Sequence, residues 1–246
     1  MRGFKAIFKK QLKDTIANPA VLMNFFIFPL MAWLMNSFAT PDFEGVPEEI
    51  VEIIAAGTPN LAIMMAAMFA GMAIIPSVTG FIAEDIEKKS LRFLNMAGLK
   101  PAPYLLGIGS VTFFLSVFTS VAFGFISGFE GQDLWIFVGS LLSGVAASIV
   151  LGATIGILCK NQQAATGLSM PAAMVLGFGP MLAMFNDNIA RFLHPFYTQQ
   201  LNVIADYITL GGGDTPLWQA FAIIWANVLV LAVLFAVVYA KKGLKG

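Results

Sequence analysis

Six runs free of charge and histidine, at 20–38, 61–83, 104–129, 134–158, 164–185 and 217–239, decide what this chain can fold into. A helix takes about 20 apolar residues to cross the hydrocarbon of a bilayer, and each run is of that order. In lipid every backbone N–H and C=O must find its partner inside the protein, which leaves helices or closed barrels. Barrel strands alternate apolar with polar residues, whereas these runs are apolar throughout, so they read as helices. The composition agrees: 11% of residues are charged and 58% hydrophobic, where about 25% charged is usual for a soluble domain. The expected fold is an all-α integral membrane protein, a single transmembrane domain over 1–246 with six membrane-spanning helices.

The segments between the runs add surface elements. Within residues 2–17, Phe4, Ile7, Phe8, Leu12 and Ile16 share one helical face, and Arg2, Lys5, Lys9, Lys10 and Lys13 the other. That pattern predicts an amphipathic interfacial helix over 1–18 on an anionic membrane surface, ended by Asn18-Pro19. A signal peptide is excluded, because the basic region is too long and the run behind it is of spanning length. An acidic segment, 41–57, carries Asp42, Glu44, Glu48, Glu49 and Glu52. Between the last two runs, Ile189, Phe192, Leu193, Phe196, Leu201, Ile204 and Ile208 recur at helical spacing across Pro195. This outer element, 186–216, is either an amphipathic hairpin or re-entrant.

Six spans put both termini on one side. That side then holds every Lys and Arg except Arg191, so the positive-inside rule places the termini in the cytoplasm of a multi-pass cell-membrane protein. Cysteines introduced at Glu49 and Asp206 are expected to react from outside, and at Lys88 and Lys242 not.

Several chemistries find no support. A net charge of zero gives no footprint for nucleic acid. One cysteine, Cys159, and one histidine, His194, make neither a disulfide framework nor a zinc cluster. Pumps driven by ion gradients keep ionisable groups at membrane depth, where each costs about 2.5–3.5 kcal/mol on insertion scales, and the six runs contain none. No Gly-x-x-x-x-Gly-Lys-Ser/Thr phosphate loop is present, so an energy source must come from another subunit. Gly211-Gly212-Gly213-Asp214 resembles an aspartyl protease pattern but falls in an outer loop. Ser169 has no base within reach if His194 lies beyond the opposite end of the fifth span. No catalytic, cofactor-binding or metal-binding residue is assigned, and the chain is not expected to be an enzyme.

Three patterns remain. Ser140, Gly144, Ser148, Gly152 and Gly156 recur every four residues in the fourth run, a small-residue stripe that lets helices approach closely, more simply within the subunit than between subunits. Met64, Met68 and Met72 line one face of the second run. Met170, Met174, Met181 and Met184 run along the fifth, which Pro171 and Pro180 bend. The densest charge in the chain follows the second run: Glu84, Asp85, Glu87, Lys88, Lys89 and Arg92, with Leu91 and Leu94 as an apolar flank and Gly98 and Pro101 as terminators. Glu84 and Lys88, and Asp85 and Lys89, are spaced to pair along a short helix. A solvated loop and a helix pressed on a partner both fit this segment, 84–101.

These features together resemble the membrane subunits of type-2 ABC exporters. The resemblance covers nearly the whole chain: the basic helix ending in Asn18-Pro19, six spans with both ends inside, and the amphipathic element before the last span. Its most specific part is the segment after the second span. There the family often reads acid-Arg-Glu-x-Gly-Thr-Leu-Glu-x-Leu, then Tyr-Leu-Leu-Gly at the start of the third span. Asp85, Glu87, Ser90, Leu91, Leu94 and Tyr104-Leu105-Leu106-Gly107 fit, while Ile86, Lys89 and Arg92 stand where Arg, Gly and Glu are common. The resemblance implies a half-transporter: this subunit with a second copy or paralogue, and two ABC ATPase subunits that bind the ATP and Mg. It implies that 84–101 is a coupling helix docked on the ATPase, so that Glu87→Lys with Leu91→Asp should uncouple it. Charge-free spans favour an apolar or amphipathic cargo: a lipid-like molecule, a drug or a peptide. A non-transporting anchor or immunity-type protein and a membrane-embedded lipid-modifying enzyme are the alternatives.

Overall fold

The computed structural model describes residues 2–39, 60–90, 101–213 and 215–242. The acidic segment 41–57, Leu91, Arg92, Leu94, Gly98, Lys100, Asp214 and Lys245 lie outside the described residues, as does the side chain of Phe4. The described residues are helical, with no strand among them. The surface helix α1 spans Arg2–Ala17, Asn18 breaks the chain, and α2 runs over Pro19–Ala39. Then come α3 (Leu61–Glu87), α4 (Pro101–Ile126), α5 (Gly131–Leu158) and α6 (Gln162–Ala183). Two short helices, α7 (Asp187–Leu193) and α8 (Tyr197–Thr209), precede α9 (Leu217–Lys242). Six of these, α2 to α6 and α9, are long and apolar enough to cross a membrane.

The boundaries follow local chemistry. Pro101 opens α4, where a missing N–H costs nothing. At its far end the Ile126 and Ser127 carbonyls accept the side-chain amides of Asn36 and Asn60, each at 3.1 Å, before Gly128 turns the chain at a φ of +80°. Asn60 also caps α3, its Oδ1 accepting from the N–H groups of Ala62 and Ile63. Asp133 sits in the first turn of α5, where the helix dipole favours an acid.

Helices α3 and α5 form the inside of the bundle. Halfway along α3, Phe69–Ile74 widens into a π-helical turn just ahead of Pro76. Pro76 cannot donate to the Met72 carbonyl and its ring would strike it, so the ladder opens there by one residue. The same turn carries a close helix crossing: a Cβ on Gly71 would stand 2.6 Å from the Gly177 nitrogen of α6. Phe69 is fully buried between Phe25, Phe28 and Phe123, with ring centroids 5.7, 6.1 and 5.8 Å away, which joins α2, α3 and α4.

The small-residue stripe of α5 packs within the subunit and serves two neighbours. A Cβ on Gly152 would lie 2.7 Å from the Ile75 carbonyl oxygen and one on Gly156 2.8 Å from Ile82 Cβ, both on α3. Thr79 Oγ1 reinforces that crossing by donating to the Gly152 carbonyl at 2.9 Å. In the other half of the stripe, Gly144 faces Leu201, and Ser148 Oγ meets the Tyr197 hydroxyl at 2.7 Å, both on α8.

That contact settles the outer element as re-entrant. Ser148 lies about 15 Å from the Leu158 end of α5 at 1.5 Å per residue, so Tyr197 starts α8 deep between the spans. Asn227 of α9, about 15 Å in from Leu217, donates to the Pro195 carbonyl at 2.8 Å. Helix α7 therefore descends, His194-Pro195-Phe196 turns at the bottom, and α8 returns. His194 is not in a loop beyond the fifth span. It is half-buried between the helices, and its carbonyl accepts from Gln200 Nε2. Ser169 is still no partner for it. Leu193 packs on Gly179, which stands about 15 Å along α6 from Ser169.

Candidate functional site

The charged end of α3 is built from a conflict. Helix α3 does not stop at 83; it continues one turn to Glu87, and that turn holds Glu84, Asp85 and Glu87 against the negative end of the helix dipole. Each acid is stabilised by its own donor. Half-buried Glu84 pairs with exposed Lys88, and the carboxylate beside it holds the Lys88 ammonium above its usual range. Glu87 Oε2 accepts from the Gln162 N–H at 3.1 Å, the free N-terminal end of α6, where a negative charge is favoured. Asp85 turns inward. Its side chain is 4% exposed, with Lys10 Nζ of α1 on Oδ1 and the Tyr104 hydroxyl of α4 on Oδ2 at 3.0 Å.

Lys89 does not extend the helix to pair with Asp85. It adopts a φ of +57°, its N–H bonding the Ile86 carbonyl at 2.9 Å, and ends α3 in a left-handed residue. The expected continuous helix through 84–94 is therefore broken at Lys88-Lys89, and Ser90 is helical again.

Between this end of α3 and the Lys160-to-Gln163 turn lies an open polar cleft of about 310 Å³, lined by Glu84, Glu87, Lys88, Asn161, Gln162 and Gln163. Asn161 caps α6, its Oδ1 accepting from the Ala164 N–H at 2.8 Å. The cleft walls are thus fixed by a helix end and two caps, with exposed Lys88 among the lining residues; Lys89 and Lys160, next in the chain to Lys88 and Asn161, are exposed as well.

The surface helix α1 lies alongside, with a different inner face from the one its apolar pattern predicts. Ile7, Gln11 and Thr15 are buried, Phe8 and Leu12 half-buried, and Ile16 is 62% exposed. Ile7 sits where a Cβ on Gly107 of α4 would fall 2.6 Å from its Cγ2. Lys9 and Lys13 point outward as expected, but Lys10 reaches in to Asp85. Of the residues singled out from the sequence, Glu84, Asp85, Glu87, Lys88 and Lys89 thus come together with Lys10, whereas the stripe of α5 lies deeper in the bundle. Sequence reasoning missed the Gln162 cap, the Lys10–Asp85 pair and the partner role of Tyr104. A trace of the second exists: Val78, Ile82 and Asp85 occupy one buried face of α3, a stripe in which an acid needs an internal partner.

Among the described residues no group of three His, Cys, Asp or Glu side chains is placed to hold a metal ion. No curated protein matches the chain. The family model for ABC-2 family transporter proteins matches residues 35–240, from the end of α2 to the end of α9. Six apolar spanning helices, a basic helix joined to the first, and a match over most of the length agree: the chain belongs to the ABC-2 family of transporter proteins, as a multi-pass membrane permease.

Proposed function

We propose that this permease is the membrane half of an ATP-driven exporter in the cell membrane, with its basic end in the cytoplasm and hydrolysis supplied by a separate ABC ATPase. Two such membrane subunits, identical or paralogous, pair with two ATPase subunits, which bind the ATP and Mg. The observation that carries the reading is the polar cleft at the charged end of α3, with exposed Lys88 in its lining, exposed Lys89 next in the chain, and neighbouring acids that connect to α1, α4 and α6. A partner that grips this cleft pulls on α3, and α3 crosses α5 and α6 through glycine contacts that transmit displacement without slack. The cargo is apolar or amphipathic, because the spans carry charge only at their ends.

Glu87 caps α6, so Glu87→Lys would disturb the bundle as well as any docking surface. Lys88→Glu with Lys89→Glu breaks the surface pair with Glu84 but leaves the contacts of Asp85 and Glu87 that join α3 to α1, α4 and α6 in place. Purified from its native membranes, the wild-type chain should bring an ABC ATPase with it and hydrolyse ATP in nanodiscs. The double variant should insert normally and recover the ATPase about tenfold less well or worse, as the loss of interfacial charge pairs implies. A wild-type chain that carries no ATPase, or a double variant that recovers it fully, overturns the reading.

A further inference from the structure

Asp85 stands apart from its charged neighbours because it faces neither solvent nor a partner. A carboxylate that is 4% exposed persists only with both oxygens matched. Oδ1 takes Lys10 from α1 and Oδ2 takes Tyr104 from α4. Tyr104 is itself fully buried, and its ring centroid lies 6.1 Å from that of Tyr239 on α9, the planes tilted by 48°. Lys10 is 45% exposed and has Asp14 of its own helix 3.8 Å away, so its side chain reaches inward although an acid on the surface is at hand. The rest of the inner face of α1 is narrow, and Gln11 and Thr15 within it are polar and hydrogen-bonded to each other at 3.4 Å. Ile7 on Gly107 adds an apolar contact between α1 and α4.

We infer that Asp85 is a positioning residue: through Lys10 and Tyr104 it clamps the surface helix α1 onto the ends of α3 and α4, so that α1 travels with α3 as one body. That travel during transport rests on the proposed function; the clamp does not. The charges at the end of α3 then divide their work. Glu84 and Lys88 face outward, while Asp85 ties the same turn to the helix lying on the membrane surface.

The test uses the full chain in open native membranes, with Cys159→Ser as background and Ile7→Cys as a reporter of the α1–α4 contact. N-ethylmaleimide should label position 7 slowly. Asp85→Asn and Lys10→Met should each speed labelling about tenfold or more, as expected when one partner of a buried pair is removed. Lys10→Arg should keep it slow, and the exchange of Lys10→Asp with Asp85→Lys should restore slow labelling. A second reporter, Ala153→Cys in the centre of α5, should stay unreactive in every variant. Unchanged labelling in both single variants, no rescue by the exchange, or opening of position 153 along with position 7 overturns the clamp. With the ATPase bound, trapping with ATP and vanadate should change labelling at Ile7→Cys and Lys89→Cys together, and in Asp85→Asn only at position 89. A response at 89 alone in the intact clamp overturns the movement as one body. No response at either position strikes the exporter reading and leaves the clamp to the first measurements.

Discussion

Lys89 holds a φ of +57° at a position where type-2 ABC exporters commonly carry glycine. The left-handed region costs a residue with a Cβ roughly 1–2 kcal/mol, and glycine returns part of that as entropy when unfolded. Lys89→Gly should therefore stabilise the isolated chain by about 0.5–1 kcal/mol, read as a higher melting temperature in detergent. A lower one would mean that the Lys89 side chain makes a contact worth more than the strain. At this scale the sequence is a poor guide to partners. Asp85–Lys89 and Glu84–Lys88 have the same spacing, yet only the second pair forms, because Asp85 falls on the buried face with Val78 and Ile82. Spacing along one helix is visible in a sequence, but a partner 75 residues away, as Lys10 is from Asp85, is not. Ser148 and Tyr197 make the same point. Ser148 is readable as a small residue in a stripe, and nothing marks the hydroxyl it meets on another helix.

Helices were legible wherever one solvent dictates the pattern. The six runs read from hydropathy alone coincide with α2 to α6 and α9 to within a few residues, and the differences sit at ends fixed by Pro101, Asn161 and Glu87. Depth was not legible for α7 and α8, since mixed composition and a break at Pro195 suit a surface hairpin as well as a re-entrant one. Nor was the π turn of α3, whose only mark is Pro76 behind Gly71. That turn sets the register of everything beyond it. One residue of helix is about 100° of rotation and 1.5 Å of rise, so the extra residue decides which side of Ile75–Glu87 meets α5. The Thr79 bond to the Gly152 carbonyl is one contact that this register sets. Deleting Ala70 should therefore turn the whole buried face of Ile75–Glu87 away from α5 and lower the melting temperature in detergent well beyond the loss caused by Thr79→Val, which removes that one bond. A deletion no more costly than Thr79→Val would show that the turn only accommodates Pro76 and sets no register.

Taken whole, the molecule is polarised along the membrane normal. The end that holds the cleft carries Lys9, Lys10, Lys13, Lys88, Lys89, Lys160 and Lys241, and the other shows Arg191 on α7. Each basic residue near an anionic cytoplasmic leaflet is worth about 1 kcal/mol, so the asymmetry strongly favours one orientation. The re-entrant pair works in the same sense, because α7 and α8 enter from the end poor in basic residues and leave the cleft end unobstructed. Helices α2 and α9 are mostly exposed along their length, so they are the faces left for lipid or for a second copy. Everything proposed for the cleft depends on which end is inside. Asp206, exposed on the returning helix α8, and Lys88, at the cleft rim, make the decisive pair of positions. In a chain with Cys159→Ser, Asp206→Cys should react with an impermeant maleimide added to intact cells, and Lys88→Cys only after the cells are opened. Labelling of position 88 in intact cells would invert the molecule, put the cleft out of reach of any cytosolic ATPase, and leave the family assignment standing without its engine.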